Sequence, residues 1–222
     1  MGHKILLISK EFAARILDIV LPRTKRVRLL ESMDAGAFAR AVRIAQDNIP
    51  HTLSLFDYRE PLVKSAVWEI KFRGNQKITA LATRLLYDHL MGELGERVLF
   101  GGGGAVMLIP VPLAQKRLRE RGFNQAERIA QGMCALDGGK NFSVIHAVTR
   151  VRETESQTRT KGRTERLKNL RGAFAVTDVK SVAGKHVIIL DDVTTTGATL
   201  NEIRSILLEA GATTVMGLTF AH

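Results

Sequence analysis

The segment from 187 to 199 limits the possible folds of this chain more than any other stretch. Four apolar residues at 187–190 are followed by two aspartates, a turn of threonines and one glycine, and then an amphipathic helix pattern. A short continuous apolar run of this kind predicts a strand that is covered on both faces, as in a parallel sheet. Asp191 and Asp192 then fall at the carboxyl end of that strand, where open α/β sheets bind their ligands.

The rest of the chain divides into a helical part and an alternating part. Apolar runs predict strands at 105–109, 142–149, 185–190 and 213–220. Helical spacing predicts helices between them, one of which begins at an Asn124–Glu127 capping pair, and another over 198–209. This alternation predicts an α/β domain with a mainly parallel sheet over 51–222. Before it, a helical N-terminal extension is expected over 1–50, with helices at 3–22 and 34–46. The domain itself is expected to begin with helices at 57–74 and 76–91.

The charge of the chain favours anionic partners without choosing among them. Thirty-three Lys and Arg residues against 22 Asp and Glu give a net charge of +11 at pH 7. The single cysteine, Cys134, excludes an internal disulfide and a Cys-rich zinc site, and its position on a helix predicts a core residue. No apolar run reaches the roughly 18 residues of a membrane span. We therefore expect a cytoplasmic protein.

The turn after the acidic pair has the features of a phosphate site. A turn at a helix N-terminus presents free backbone N–H groups and the positive end of the helix dipole. Gly197 allows close approach of the backbone, and the threonine hydroxyls can donate further hydrogen bonds. The two aspartates beside it can accept from ribose hydroxyls or from water on Mg²⁺. Capping alone does not explain two adjacent carboxylates that repel each other, so a phosphate attached to a sugar is the preferred ligand.

This stretch resembles the phosphoribosyl-pyrophosphate (PRPP) signature of type I phosphoribosyltransferases. Further motifs follow the order found in the ComF family of competence-related proteins, at 110–112, 121–125, 156–157 and 166–174. The resemblance covers roughly residues 55–222. Family members commonly begin with a small cysteine-rich zinc-binding element, whereas the corresponding region here, 21–45, contains no cysteine. No zinc is therefore expected in this chain.

The resemblance implies a type I phosphoribosyltransferase fold, which is a mainly parallel twisted sheet flanked by helices, with a helical extension and a hood. It also implies roles for single residues. The ribose 5-phosphate would bind Thr194, Thr195, Thr196, Gly197, Ala198 and Thr199. Asp191 and Asp192 would hold the ribose 2- and 3-hydroxyls and contact Mg²⁺, directly or through water. Arg117 and Arg121 are expected near the pyrophosphate, with solvation as the alternative for Arg121.

A basic loop over 150–171 has two interpretations. It carries eight Lys or Arg residues against three Glu. By resemblance it would be the loop that closes over the substrate, with Gln157 and Arg166 as the first choices for contacts. The alternative is an exposed basic loop that binds any polyanion, including DNA.

The resemblance leaves three functions open. The first is Mg²⁺-dependent phosphoribosyl transfer from PRPP to an acceptor that the sequence does not identify. Residues 50–90 would form the acceptor hood, with Tyr58, Trp68 and Lys71 as candidates, although core packing and solvation explain each of them at least as well. The second is a non-catalytic protein that binds single-stranded DNA in natural transformation. Aromatic residues make up only 5% of the chain and do not interleave with basic ones, which argues against base stacking. The third is a scaffold for competence or replication-restart proteins, and the oligomeric state is open.

Overall fold

The structure is a computed structural model that describes residues 24–46, 49–96, 105–152 and 170–222. The helix predicted at 3–22 and most of the basic loop lie outside these residues. Within them, no helix combines the length and the apolar character that crossing a membrane requires.

A parallel sheet forms the centre of the described domain. Its five strands are β1 (Thr52–Phe56), β2 (Val106–Pro110), β3 (Phe142–Val144), β6 (His186–Val193) and β7 (Thr214–Ala221). They lie in the order β1-β7-β6-β2-β3, and every neighbouring pair is parallel. Strands β4 (Val148–Arg150) and β5 (Phe174–Val176) form a separate antiparallel pair. The predicted type I phosphoribosyltransferase fold class is confirmed by this sheet.

Helices cover both faces of the sheet. They are α1 (Lys25–Ser32), α2 (Ala35–Ala41), α3 (Pro61–Trp68), α4 (Gln76–Glu96), α5 (Gln115–Arg121), α6 (Gln125–Asp137) and α7 (Ala198–Glu209). Between α3 and α4 the chain makes one π-helical turn, Glu69–Arg73.

Successive side chains of β6 enter two separate cores, because neighbouring residues of a strand point to opposite faces. Ile188 and Leu190 pack against helices α1 to α4 and α6. Val187 and Ile189 pack against α7 and the β4–β5 pair. The strand is therefore buried on both sides, as its continuous apolar run predicts.

The described part of the N-terminal extension shares the larger core. Phe38 of α2 lies 5.2 Å from Phe56 of β1 and 5.8 Å from Phe220 of β7, measured between ring centroids. The rings of Phe38 and Phe56 meet edge to face, which is a favoured aromatic geometry. Residues on both sides of position 50 are thus packed together.

Several predicted element ends are confirmed. Pro61 occupies the first turn of α3, where a missing N–H costs nothing. Gly74 ends the helical stretch with φ of 59°. The Asn124 side chain accepts from Ala126 N at the start of α6. Cys134 packs against the core, and burial raises the pKa of its thiol.

Other predictions need correction. The strand predicted at 142–149 is two strands, because the chain leaves the parallel sheet after Val144 and pairs antiparallel with β5. The helix predicted at 34–46 ends at Ala41, since Ile44 forms a bridge with Phe56. Glu127 does not close a capping box, because its carboxylate contacts His146 Nε2 at 2.7 Å and accepts from Gln131. Edge strand β1 and the short helix α5 were not predicted.

Candidate phosphoribosyl site

A cleft opens at the carboxyl ends of β2 and β6. One side is the continuous segment 191–200, which runs from the end of β6 into α7. The other side comes from separate elements and contains Lys71, Val111, Pro112, Leu113, Arg117, Arg121, Gln125 and Arg150. We call the segment 194–199 the cradle. We call Lys71, Arg117, Arg121 and Gln125 the facing wall.

The cradle is a tight turn that ends at the N-cap of α7. Gly197 is the N-cap and has φ of 72°, a left-handed conformation that side chains disfavour. A Cβ built there would lie 2.6 Å from Ile49 Cγ2, so only glycine fits. Gly197 has no side chain to cap α7, and the first-turn N–H of Ala198 donates only a long bond, 3.4 Å, to Thr196 Oγ1. The first-turn N–H groups and dipole of α7 therefore suit an anion, as predicted for this turn.

Asp192 is buried and surrounded by protein donors. Its side chain is 2% exposed, and its Oδ2 lies 3.0 Å from the Nζ of Lys71. Its Oδ1 accepts from Gln125 Nε2 at 3.3 Å. The carboxylate thus has a charged ion-pair partner and a neutral hydrogen-bond donor, which come from two helical segments far apart in sequence.

Asp191 is less enclosed, and its electrostatics differ. Its Oδ1 accepts from the backbone N–H of Asp192 at 2.8 Å. Burial raises the pKa of Asp191 well above its usual range, and the adjacent carboxylate of Asp192 raises it further, against the opposing effect of Lys71. The two neighbouring acids are therefore not equivalent.

Lys71 stays charged despite its burial. Desolvation alone would lower the pKa of Lys71, but attraction to Asp192 and Asp191 outweighs it and raises that pKa. The sequence suggested Lys71 only as an acceptor contact. Its place beside the acids could not be inferred from spacing, because 121 residues separate Lys71 from Asp192 in the chain.

Arg117 and Arg121 line the cleft, and their contact with a pyrophosphate stays a prediction. Arg121 Nη1 donates to Gln125 Oε1 at 3.2 Å, so Arg121 contacts the residue that holds Asp192. Partial burial lowers the pKa of Arg121 from its high ordinary value, against the attraction of Asp192. Gln125 belongs to the recognised 121–125 motif, yet no role was predicted for it. Gln157 and Arg166 lie outside the described residues, so their roles stay predictions.

Aromatic rings and arginines alternate along the surface beside the facing wall. Trp68 and Phe72 are 41% and 54% exposed, and their centroids are 5.6 Å apart. The guanidinium of Arg73 lies 5.4 Å from the Trp68 ring, and that of Arg121 lies 5.0 Å from the Phe72 ring. We call these four residues the aromatic–arginine surface. Trp68, Phe72 and Arg73 are close in sequence, whereas Arg121 reaches this surface from a distant segment. The contribution of Arg121 is therefore not visible in the linear sequence.

The acidic pair is only partly suited to direct metal binding. Both oxygens of Asp192 already have donors from Lys71 and Gln125. In the described ranges no group of three or more His, Cys, Asp or Glu side chains could hold a metal ion. A divalent ion on Asp192 would have to displace an ammonium group. Contact through water, which the sequence analysis also allows, leaves that ion pair intact.

Comparison with known proteins gives the same class as the geometry. A family model for the phosphoribosyl transferase domain matches residues 118–221. The DNA utilization protein YhgH of Shigella flexneri is 36% identical over 168 residues, which cover 73% of this chain and 68% of that protein. The competence protein ComFC of Bacillus subtilis is 30% identical over 166 residues, covering 65% of each chain. Competence protein F of Haemophilus influenzae is 37% identical over 105 residues, which cover 47% of this chain and 44% of that one.

The parallel sheet, the cradle and the matching domain model define the class of type I phosphoribosyltransferase-like proteins. Within that class, the relatives named for competence and DNA utilization establish the closer relationship. This chain belongs to the ComF family.

Proposed function

We propose that the protein binds PRPP as its Mg²⁺ complex and transfers the phosphoribosyl group to an acceptor nitrogen. One observation carries this proposal, namely that a helix N-terminus with glycine as its N-cap and an acidic pair lie in one cleft that also holds cationic side chains. In PRPP, the 5-phosphate complements the helix N-terminus, the ribose hydroxyls complement the acidic pair, and the pyrophosphate complements the cationic side chains.

Each part of the cleft has a task in this reaction. The cradle holds the 5-phosphate with backbone N–H groups and threonine hydroxyls. Asp191 and Asp192 accept from the ribose hydroxyls and lie near the positive charge that develops on the ring. Arg117 and Arg121 stabilise the departing pyrophosphate. The bond from the anomeric carbon to pyrophosphate breaks, pyrophosphate leaves with the electron pair, and the acceptor nitrogen forms the new bond and loses its proton.

Ligand-induced stabilisation tests the binding part of this proposal. At a hundredfold excess over its dissociation constant, Mg²⁺–PRPP should stabilise the wild type by about 2.7 kcal/mol. The double variant D191N/D192N should lose this gain. A matched double variant, D88N/D178N, removes two exposed aspartates and should keep it. Equal gains in the wild type and in D191N/D192N would refute the assignment.

Turnover requires a separate measurement. Release of pyrophosphate from PRPP is followed with a panel of purine and pyrimidine bases, one at a time. Base-dependent release supports a transferase. PRPP binding without release in any mixture supports a PRPP-binding protein that has no transferase activity towards these bases.

A second candidate function is binding of single-stranded DNA, and the aromatic–arginine surface favours it. Two exposed rings with guanidinium groups 5.0 and 5.4 Å from their centroids match the aromatic and cationic contacts of proteins that bind single strands without sequence preference. The net charge of +11 adds attraction that should weaken as salt increases. The relatives' names concern competence and DNA utilization, which supports a role connected with DNA. A cytoplasmic location and competence or replication-restart proteins as partners belong to the same proposal.

Fluorescence anisotropy with a labelled single-stranded oligonucleotide tests this candidate. Replacing a stacking ring by alanine typically costs about 1–3 kcal/mol per base. The variant W68A/F72A should therefore lose at least about tenfold in affinity. The control L136A removes an exposed apolar side chain from α6 and should bind as the wild type does. Unchanged affinity of W68A/F72A would exclude this surface.

A further inference from the structure

The position of Lys71 depends on an unusual piece of backbone. Helix α3 continues into the π-helical turn Glu69–Arg73, which Gly74 ends with φ of 59°. A π-helical turn accommodates one more residue than an α-helical turn, and such turns occur frequently at functional sites. Here the turn buries Glu69 and Ile70 in the domain while the next residue, Lys71, lines the cleft.

Buried polar contacts hold this turn in place. Arg73 Nε lies 3.6 Å from Glu69 Oε1, and Asn75 Nδ2 donates to Glu69 Oε2 at 3.3 Å. The backbone N–H of Asn75 also donates to the Glu69 carbonyl oxygen at 3.2 Å. The side chain of Lys71 is only 25% exposed. Lys71 is thus fixed at the cleft by its surroundings, unlike an ordinary surface lysine.

The ammonium group of Lys71 provides positive charge where the resemblance implies Mg²⁺. It lies 3.0 Å from Asp192 Oδ2, while Gln125 donates to the other oxygen. Each carboxylate oxygen has two lone pairs, so Asp192 can still accept from a ribose hydroxyl with both donors in place. A divalent ion on Asp192 would meet the repulsion of a fixed cation at short range.

We propose that Lys71 is the built-in counter-ion of Asp192, so that the cleft binds ribose 5-phosphate with no metal ion on this carboxylate. This inference rests on the proposed function, because it assigns the ribose to the same acids. Mg²⁺ then enters only as part of the substrate, bound to the pyrophosphate. Lys71 acts as a positioning residue that pairs with the Asp192 carboxylate and orients it.

Thermal unfolding with MgCl₂ alone tests the inference without any turnover. The protein is stripped with EDTA and then compared in MgCl₂ and in NaCl of equal ionic strength. For the wild type, and for the control K77M on an exposed site of α4, we expect equal melting temperatures in the two salts. For K71M, we expect Mg²⁺ to raise the melting temperature by about 2–4 °C, since the acids then lack their cation. A Mg²⁺-specific rise in the wild type as large as that of K71M would overturn the inference.

The double variant K71M/D192N keeps the inference testable if K71M does not fold. Removing both charges leaves no unpaired buried charge, so this variant should fold and should lose the Mg²⁺ response. If the double variant responds as K71M is expected to, the ion does not bind at Asp192 and the inference fails.

Titration calorimetry with ribose 5-phosphate in EDTA separates this inference from the proposed function. Binding by the wild type in EDTA supports both, and a loss of about tenfold or more in K71R or K71M supports the role of Lys71. Binding by the wild type only after Mg²⁺ is added overturns the inference and leaves the proposed function standing. No binding under either condition contradicts the proposed function itself.

Discussion

The two sides of the cleft are built in different ways. The cradle and the acidic pair come from one unbroken segment, 191–199, and its shape follows from a buried strand, a glycine and a helix N-terminus. The facing wall combines a π-helical turn with two later helices, α5 and α6. The cradle depends on local backbone geometry, whereas the facing wall depends on packing between distant parts of the chain.

The cradle contributes backbone groups to the cleft, whereas the facing wall contributes side chains. Backbone N–H groups keep their positions when side chains change, so the cradle offers a fixed set of donors that suits an anion. Side chains of the facing wall can change without disturbing the sheet. Lys71 and Gln125 join the two sides, because both contact Asp192. Substitutions on the two sides should therefore produce different patterns of stability and binding.

The largest effect should come from filling the cradle. G197A places a Cβ against Ile49 and imposes a left-handed conformation on alanine. Conformational strain of about 1–2 kcal/mol and overpacking of about 1–3 kcal/mol add to an expected loss of roughly 2–5 kcal/mol. Ribose 5-phosphate binding should fall at least about a hundredfold, since a shift of the turn misplaces several N–H groups at once.

Gly184 provides the matched control for this prediction. It also has a positive φ, 69°, but a Cβ there would meet nothing within 4 Å. G184A should lose about 1–2 kcal/mol of stability through the backbone alone, with unchanged affinity for ribose 5-phosphate. Urea unfolding and calorimetry on both variants decide the matter. Equal affinity losses in G184A and G197A would mean that the cradle does not bind the phosphate.

The two neighbouring aspartates should respond in opposite directions. D192N removes the partner of Lys71 and leaves a largely buried ammonium group without its counter-charge. Loss of one member of a buried pair costs up to about 3–5 kcal/mol, and we expect about 1–3 kcal/mol because Lys71 is partly exposed. D191N removes a repelling carboxylate and should stabilise the protein at neutral pH. Urea midpoints that fall for D191N and rise for D192N would contradict this assignment.

The sequence predicts the cradle side well for a physical reason. A strand that is buried on both faces, two acids at its end and a glycine before a helix are all local features. Residues that are neighbours in this segment are therefore also neighbours in the structure, so the sequence alone indicates which groups lie together. The structure confirms the parallel sheet.

The facing wall is harder to predict, because its geometry comes from long-range packing. The turn that places Lys71 is π-helical, and residue spacing gives no signal for it. Strand β1 was missed because it forms an edge strand through pairing with β7, which lies at the far end of the chain. The role of Gln125 cannot be predicted without knowing that α6 packs against β6. Gln125 and Asp192, which this packing brings together, are 67 residues apart in the chain.

The pH dependence of stability should isolate Asp191. Its pKa in the folded protein is raised above the ordinary value of 3.8, so the folded state binds more protons than the unfolded state in the interval between the two values. Stability therefore falls as pH rises through that interval, by about 1.4 kcal/mol for each pKa unit of difference. D191N removes this loss.

The test compares urea midpoints of the wild type and D191N between pH 3 and pH 8. Their difference should be smallest below about pH 4, where Asp191 is protonated in both states, and should grow in favour of D191N as pH rises. Lys71 remains charged over this range because its pKa is raised. A difference that shrinks as pH rises would mean that the pKa of Asp191 is lowered.

The smallest effect concerns the link between the two sides. Gln125 is 3% exposed, and its amide donates to Asp192 while its oxygen accepts from Arg121. Q125A leaves one oxygen of a buried carboxylate without this donor, a change that costs about 1–3 kcal/mol when nothing replaces the bond. We expect the lower end, about 1 kcal/mol, because Lys71 remains on the other oxygen.

Gln131 on the same helix offers the matched control. Its amide bonds to Glu127 on the exposed surface, so Q131A should change stability by no more than about 0.5 kcal/mol. If Gln125 joins the two sides, Q125A should also weaken ribose 5-phosphate binding several-fold while Q131A does not. The cycle of Q125A, K71M and their double variant then measures coupling through Asp192. Additive losses would show that Lys71 and Gln125 hold the carboxylate independently, and non-additive losses would show that the two sides of the cleft act as one unit.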